Sequence, residues 1–197
     1  MAVVYTMYPI VQLTTKIASA GIVAAGATVF SRLGYEATRV EDILETAGIA
    51  RRTFYKYFRG KDDVLAALYE FATTELVKSV RDELDAGDPI EAITRILDRY
   101  LDYHAENAVL LRILTEQGIR RESPLFPLRH RFREEMTKVL DEALRSRRKK
   151  HDPYLYLALL SAIEGLSLEI TAEAADAGSV KRAKKVMAFV LERVLTA

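Results

Sequence analysis

The chain has 197 residues, half of them apolar, enough to bury one large core or two small ones. It has no cysteine, which excludes disulfides, thiolate metal sites and a cysteine nucleophile, and its three histidines leave little for metal chemistry. The net charge of +1 is unevenly spread: residues 14–61 carry eight Lys or Arg against four acids, and residues 62–197 carry 21 against 24.

In chain order, residues 1–15 are uncharged and lack the basic region and small-residue cleavage site of a signal peptide, so residues 1–13 are expected to be a loose leader. The longest apolar runs, Gly21 to Phe30 and Tyr154 to Ile163, are about half the roughly 20 residues of a membrane span, and no membrane partner is expected. Sustained strand-like alternation is missing and helix punctuation recurs, so the fold is expected to be all-α. Nine helices are predicted, over 16–33, 40–47, 51–57, 61–86, 89–105, 108–117, 124–149, 153–176 and 180–196.

The marks that set these bounds are local. Thr38-Arg39-Val40-Glu41 and Asp88-Pro89-Ile90-Glu91 read as capping boxes, the second with Pro at the first helical position. Ser123-Pro124 and Asp152-Pro153 repeat the cap-plus-Pro signal, and Gly178-Ser179 reads as a stop followed by a start. Three segments are expected: the leader at 1–13, a unit of three helices at 14–60, and a helical body at 61–197.

The first three helices, long, short and short, have helix-turn-helix spacing. Gly48 stands where a left-handed residue ends the second helix, and Ile49 supplies an apolar plug. Ile22, Val29, Phe30 and Leu33 of the first helix are expected to share a core with Val40, Ile43, Leu44, Ala47, Phe54 and Phe58. Phe54 and Phe58, four apart, face inward, leaving Arg51, Arg52, Thr53, Tyr55, Lys56 and Tyr57 on the outer arc. Gly48 to Lys61 holds five cations and no acid, the footprint of a protein that meets phosphates with one end. Guanidinium pairs bidentately with guanine in the major groove, while hydroxyls and ammonium suit phosphate oxygens. Lys61 opens the fourth helix, whose free backbone amides also favour phosphate.

The stretch Gly34-Tyr35-Glu36-Ala37-Thr38-Arg39-Val40-Glu41-Asp42-Ile43, then Ala47-Gly48-Ile49, then Thr53-Phe54-Tyr55-Lys56-Tyr57-Phe58 and Lys61, resembles the DNA-binding signature of TetR-type repressors over roughly a quarter of the chain. The resemblance implies that Thr38, Thr53, Tyr55, Tyr57 and Lys61 hold the DNA backbone and that the start of the third helix reads bases; Arg39, Arg51, Arg52 and Lys56 complete the candidate set. Ala50 stands where that family usually has a capping serine, and Arg52 where glycine is frequent. Gly21 and Gly26, inside the first helix, read as costs of about 1 kcal/mol each relative to alanine.

In the remaining helices, Tyr100, Tyr103, His104, Phe126, Phe132, Met136, Tyr154 and Tyr156 are candidates to line an aromatic effector pocket, each competing with a plain core role. The helix at 153–176 is apolar on two sides. One side serves its own core; the other, with Leu157, Leu160, Ser161, Glu164 and Leu168, needs a second partner. By resemblance, the last two helices of two subunits form a four-helix dimer interface, to which Met187, Val190 and Val194 also belong, and Gly165 permits close backbone approach. Glu164 is open between that interface and a pocket acid, and the run Arg145 to His151 reads as a solvated helix C-terminus.

The chain is thus expected to be a homodimeric transcriptional repressor, without catalytic residue, metal or cofactor, that binds palindromic double-stranded operator DNA in the cytoplasm. A hydrophobic or amphipathic small molecule is expected to release it, with the long fourth helix as lever. Two alternatives stand beside this: a ligand-independent architectural DNA-binding protein of the same fold, and an all-α enzyme, against which the lack of a Glu-x-x-His pair, a phosphate-binding glycine loop or a nucleophile elbow counts.

Overall fold

The structure is a computed structural model describing residues 8–85, 87–145, 152–172 and 177–196, apart from the side chains of 8–16, 177 and 196. Among the described residues there are nine α-helices and no strand: α1 (Tyr8–Leu33), α2 (Val40–Ala47), α3 (Arg51–Tyr55), α4 (Lys61–Leu84), α5 (Pro89–Glu106), α6 (Ala108–Ile119), α7 (Leu125–Arg145), α8 (Pro153–Ala172) and α9 (Ala177–Thr196). The chain divides into two compact units, Met1–Tyr69 and Glu70–Ala197, so the division falls inside α4.

Most boundaries follow from caps. The Asp88 carboxylate accepts the amides of Ile90 (3.0 Å) and Glu91 (3.2 Å), with Pro89 in the first turn, where a missing N–H costs nothing. The Asp152 carboxylate accepts from Tyr154 N (2.8 Å) and the Ser123 hydroxyl from Leu125 N (3.2 Å), starting α8 and α7. At α2 the cap lies one residue later than expected. Arg39 is the N-cap, and Asp42 rather than Glu41 reaches back to its amide at 2.7 Å. Residues 8–13, expected in a leader, belong to α1, which Pro9 enters in its first turn. Gly178, expected as a stop, lies within the first turn of α9. The rest of the basic run after Arg145 lies outside the described residues; Arg145 itself pairs with Asp141 at 2.6 Å.

In the first unit, Ile22, Val29 and Phe30 of α1 close on Ile43, Phe54 and Phe58, and Val64 and Leu65 at the start of α4 complete the core. Leu33, expected inside, is exposed at the end of α1, while Val40, Leu44 and Ala47 are half-buried. Gly26 has a positive role that its helix propensity hides. A Cβ there would lie 2.5 Å from Val64 Cγ1, so α1 and α4 approach each other only because the side chain is missing. Gly21, by contrast, has nothing within 4 Å of such an atom.

In the second unit, α5 packs on α9, α6 on α8 and α7 on both α6 and α8. Leu97, Leu101, Val139, Leu144, Leu159 and Leu191 are among its buried side chains, each contributing up to roughly 1.5–3 kcal/mol through removal from water. Helix α8 is, by length and composition, apolar enough to cross a membrane, a description that the core helix of a globular unit also meets. Its Tyr156, Leu159, Ser167, Ile170 and Thr171 are buried within its own unit.

Candidate DNA interface and ligand cavity

The turn between α2 and α3 is set by Gly48, whose φ of 63° is the left-handed conformation that glycine adopts without strain. The amides of Gly48 and Ile49 return to the carbonyls of Glu45 and Leu44, both at 3.2 Å, closing α2 before the chain enters α3. Ala50 caps α3 through its backbone alone. Regular helix ends at Tyr55, two residues earlier than expected, and the amides of Tyr57 and Phe58 turn back to the Phe54 carbonyl at 2.9 and 3.0 Å.

Phe54 and Phe58 are buried with ring centroids 5.9 Å apart, which turns Arg51, Arg52, Tyr55 and Lys56 to the outside; Thr53 and Tyr57 are half-buried. The Arg51 guanidinium is paired with Glu41 of α2, a partner the sequence reading does not anticipate. Arg39, Arg52 and Lys56 are exposed and have no ion pair among the described residues, and the Lys56 ammonium stands 5.4 Å from the centre of the Tyr57 ring. This face presents planar guanidinium donors flanked by hydroxyls and ammonium, the groups that read guanine edges and hold phosphates.

Two expected backbone contacts are placed differently. Thr38 is 2% exposed, and its hydroxyl donates to the Gly34 carbonyl at 2.7 Å. The Lys61 ammonium donates to the carbonyls of Tyr35 (2.8 Å), Glu36 (3.0 Å) and Thr38 (3.0 Å) and lies 4.6 Å above the Tyr35 ring. All three of its protons are therefore used inside its own unit. Beside it, the Tyr35 hydroxyl donates to Asp62 at 2.6 Å. Burial first, and then that carboxylate, push the phenol's pKa far above its usual value.

In the second unit a cavity of about 90 Å³ lies among α4, α5, α7, α8 and α9. Of the expected ligand residues, Tyr100, Phe132, Met136 and Tyr156 line it. Tyr103 (57% exposed) and Tyr154 (79% exposed) stand in solvent, and Phe126 packs edge-on against His130, outside the lining. His104 is buried behind Tyr100, ring centroids 4.1 Å apart, and its Nδ1 has no hydrogen-bond partner among the described residues. Burial lowers its pKa to about 4, so the ring is neutral at pH 7. Burial raises the Tyr100 phenol to about 12, partly offset by a hydrogen bond with Ser167 and with a lesser upward push from the Glu164 charge, so it stays protonated.

Glu164, the charged residue in the cavity wall, has its carboxylate taken by its own chain. Arg129 holds it through Nε and Nη2, and Arg133 through Nη1. Arg133 also donates to the Leu157 carbonyl (2.9 Å) and the Ser161 hydroxyl (2.7 Å). At the other end the Tyr156 hydroxyl lies 3.4 Å from Asp141. These pairings run α7 and α8 antiparallel; Arg129, Arg133 and Asp141 stand outside the cavity lining, in which Glu164 is the charged residue.

Of the residues expected at a dimer face, Ser161 and Gly165 are exposed, and Leu157, Leu168, Val190 and Val194 are half-buried. Leu160 lines the cavity, and Met187, 2% exposed, belongs to the subunit's own core. The open stripes consist of Ala158, Ser161, Ala162 and Gly165 on α8, and of Val186 and Phe189 on α9. Val186 and Phe189 escape the sequence reading because the apolar seam of α9 has two sides and only the structure tells which is inward.

Residues 22–68 match the family described as bacterial regulatory proteins, tetR family, and residues 88–188 match the tetracyclin repressor-like C-terminal domain. The chain is 32% identical over 100 residues to the HTH-type transcriptional repressor SCO4008 of Streptomyces coelicolor, covering 51% of this chain and 49% of that protein. It is 33% identical over 64 residues to the HTH-type dhaKLM operon transcriptional activator DhaS of Lactococcus lactis, covering 32% of this chain and 34% of that one. The chain thus spans about half the length or less of these curated relatives. The transcriptional regulator FadR of Bacillus subtilis, solved in complex with stearoyl-CoA, has the same fold, with a TM-score of 0.74 at 17% identity over 87% of this chain and 96% of that one. Matched in both its N-terminal helices and the body that follows, the chain belongs to the TetR family of bacterial transcriptional regulators.

Proposed function

We propose that this regulator is a cytoplasmic, non-catalytic repressor that binds palindromic operator DNA as a homodimer and is released by a hydrophobic or amphipathic small molecule. The observation that carries it is the outward face of α3. Phe54 and Phe58 anchor the helix, while Arg51, Arg52, Tyr55 and Lys56 are turned to solvent. Two such faces related by a two-fold axis suit half-sites about one helical turn apart, roughly 34–36 Å. Small residues at Ala158, Ala162 and Gly165 and the apolar side chains of Val186 and Phe189 support pairing of α8 and α9 with their copies, and give α8 a use for its apolar length without a membrane.

The cavity supports the effector half of the reading, and the complex of the FadR neighbour with stearoyl-CoA is consistent with an amphipathic ligand. Helix α4 contributes Val64 and Leu65 to the first unit's core and Leu76 and Val80 to the cavity wall, so a ligand that reshapes the cavity acts on a helix shared with the DNA-binding unit. A coupling of about 1–3 kcal/mol lowers operator affinity roughly five- to 150-fold. The test is a gel-shift titration with double-stranded DNA from upstream of the protein's own gene, paired with a reporter on that promoter. Binding with reporter expression raised by gene deletion supports repression; expression lowered by deletion assigns activation instead, and no binding to any upstream duplex refutes the reading.

A further inference from the structure

We propose that the second unit's cavity is built for an uncharged, compact guest about the size of one aromatic ring, and that Phe132 is the residue that sets this limit. The inference rests on the reading of that cavity as the effector site and narrows it to a ligand class.

Charge is the first observation. Among the described residues that line the cavity only Glu164 is charged, and its carboxylate already accepts hydrogen bonds from Arg129 Nε and Nη2 and from Arg133 Nη1. Both arginines stand outside the lining. An anionic guest would therefore meet the carboxylate rather than the guanidiniums. A cationic guest would have to draw that carboxylate away from two guanidiniums, and at 18% exposure the Glu164 side chain leaves little water to replace the lost ion pairs. Burial holds the Tyr100 and Tyr156 phenols up at about 12, so both are neutral, and the rest of the lining is aliphatic, Met or Phe. A neutral guest meets the least opposition.

Size is the second. The volume of about 90 Å³ is roughly three times water's share of the liquid, about 30 Å³, and lies below the roughly 150 Å³ at which an apolar cavity walled by Leu, Ile and Phe takes up one benzene. One ring fills it, with the unbranched Met136 side chain able to give the last of the room. The faces and edges of Tyr100, Phe132 and Tyr156 suit an aromatic guest. A second fused ring or a long chain enters only if a wall moves.

The third observation says which wall. Among the described residues, Phe132 is the one common to the cavity lining and to an open groove of about 310 Å³ between α4 and α7. The groove is polar where the cavity is not: Glu70, Thr73, Thr74, Arg131 and Glu135 border it, and a Glu70–Arg131 ion pair of 3.1 Å bridges its two helices. One half-buried side chain thus stands between a small apolar space and a larger polar one. Truncating it joins the two and lifts the limit on size.

The experiment is a fluorine NMR titration of the full chain with fluorobenzene, 1-fluoronaphthalene, 4-fluorobenzoate and 4-fluorobenzylammonium, repeated on Phe132→Ala and on Leu140→Phe, which fills the cavity from α7. Water expels the larger hydrocarbon more strongly, so a preference for the smaller one comes from the walls. Fluorobenzene is expected to bind wild type at least about tenfold more tightly than each of the other three, and to lose at least about tenfold in Leu140→Phe. In Phe132→Ala the order of the two neutral rings is expected to reverse; if that variant does not fold, Phe132→Leu is expected to shift the order in the same direction. Wild type that prefers 1-fluoronaphthalene or binds either ion as well as fluorobenzene overturns the proposal while leaving the cavity as an effector site, and so does an order unmoved by Phe132 substitution. Binding by none of the four overturns it too; if a metabolite library also leaves the melting temperature unmoved, the effector reading falls with it.

Discussion

The Lys61 ammonium lies 2.8 Å from the Tyr35 carbonyl oxygen, and with its bonds to Glu36 and Thr38 it clasps the turn between α1 and α2 from 23 to 26 residues away. A lysine expected to hold DNA phosphate is thus committed to the fold. Lys61→Met is expected to lower unfolding free energy by about 1–3 kcal/mol, the worth of hydrogen bonds to a charged group. Its DNA affinity should keep the wild-type salt slope. A slope reduced by about one would return Lys61 to the phosphate contacts.

Arg52 and Lys56 are expected to separate sequence reading from anchoring. Arg52→Ala should cost about 1–3 kcal/mol on the cognate duplex and little on a scrambled one, because only base-edge contacts discriminate. Lys56→Ala should weaken both duplexes alike and reduce the salt slope by about one. Fluorescence anisotropy across a salt series with both duplexes measures each quantity.

The two glycines of α1 should respond in opposite directions. Gly26→Ala forces a Cβ against Val64 and is expected to destabilise by about 1–3 kcal/mol, the usual cost of overpacking. Gly21→Ala meets open space and should stabilise by up to about 1 kcal/mol through helix propensity. Urea midpoints of the two variants against wild type decide this.

His104 gives a pH dependence with a defined sign. Its folded-state pKa, about 4, lies below the ordinary 6.5, so between these values the unfolded chain binds the extra proton. Stability is present in full above about pH 6.5 and is lost as pH falls towards 4, by about 3 kcal/mol at most. His104→Leu should remove this component, seen as a flatter difference in urea-unfolding free energy between pH 7 and pH 5. Parallel pH profiles for variant and wild type would refute it.

What was legible in the sequence is what depends on neighbours in the chain. The spacing of Phe54 and Phe58, the left-handed Gly48 and the Asp88 cap all act within a few residues, and the helices they imply are present. Long-range partners were not legible. Nothing local shows that Thr38 turns inward to Gly34, that Lys61 finds three carbonyls, or that Gly26 faces Val64. The same holds in the second unit: aromatic spacing marks candidates on α5, α7 and α8, but whether Tyr100 or Tyr103 faces the cavity depends on how neighbouring helices pack. Glu164 had two readings because its stripe borders both a cavity wall and an exposed face, and its two arginines lie 31 and 35 residues away.

The outward face of α3 is tested most directly by anisotropy titration of the upstream duplex with wild type and an Arg52→Ala/Lys56→Ala double variant whose melting temperature is unchanged. Wild type should bind as a dimer per palindrome, and the variant at least about a hundredfold more weakly. Equal affinity of the two proteins would contradict the assignment of α3 to DNA.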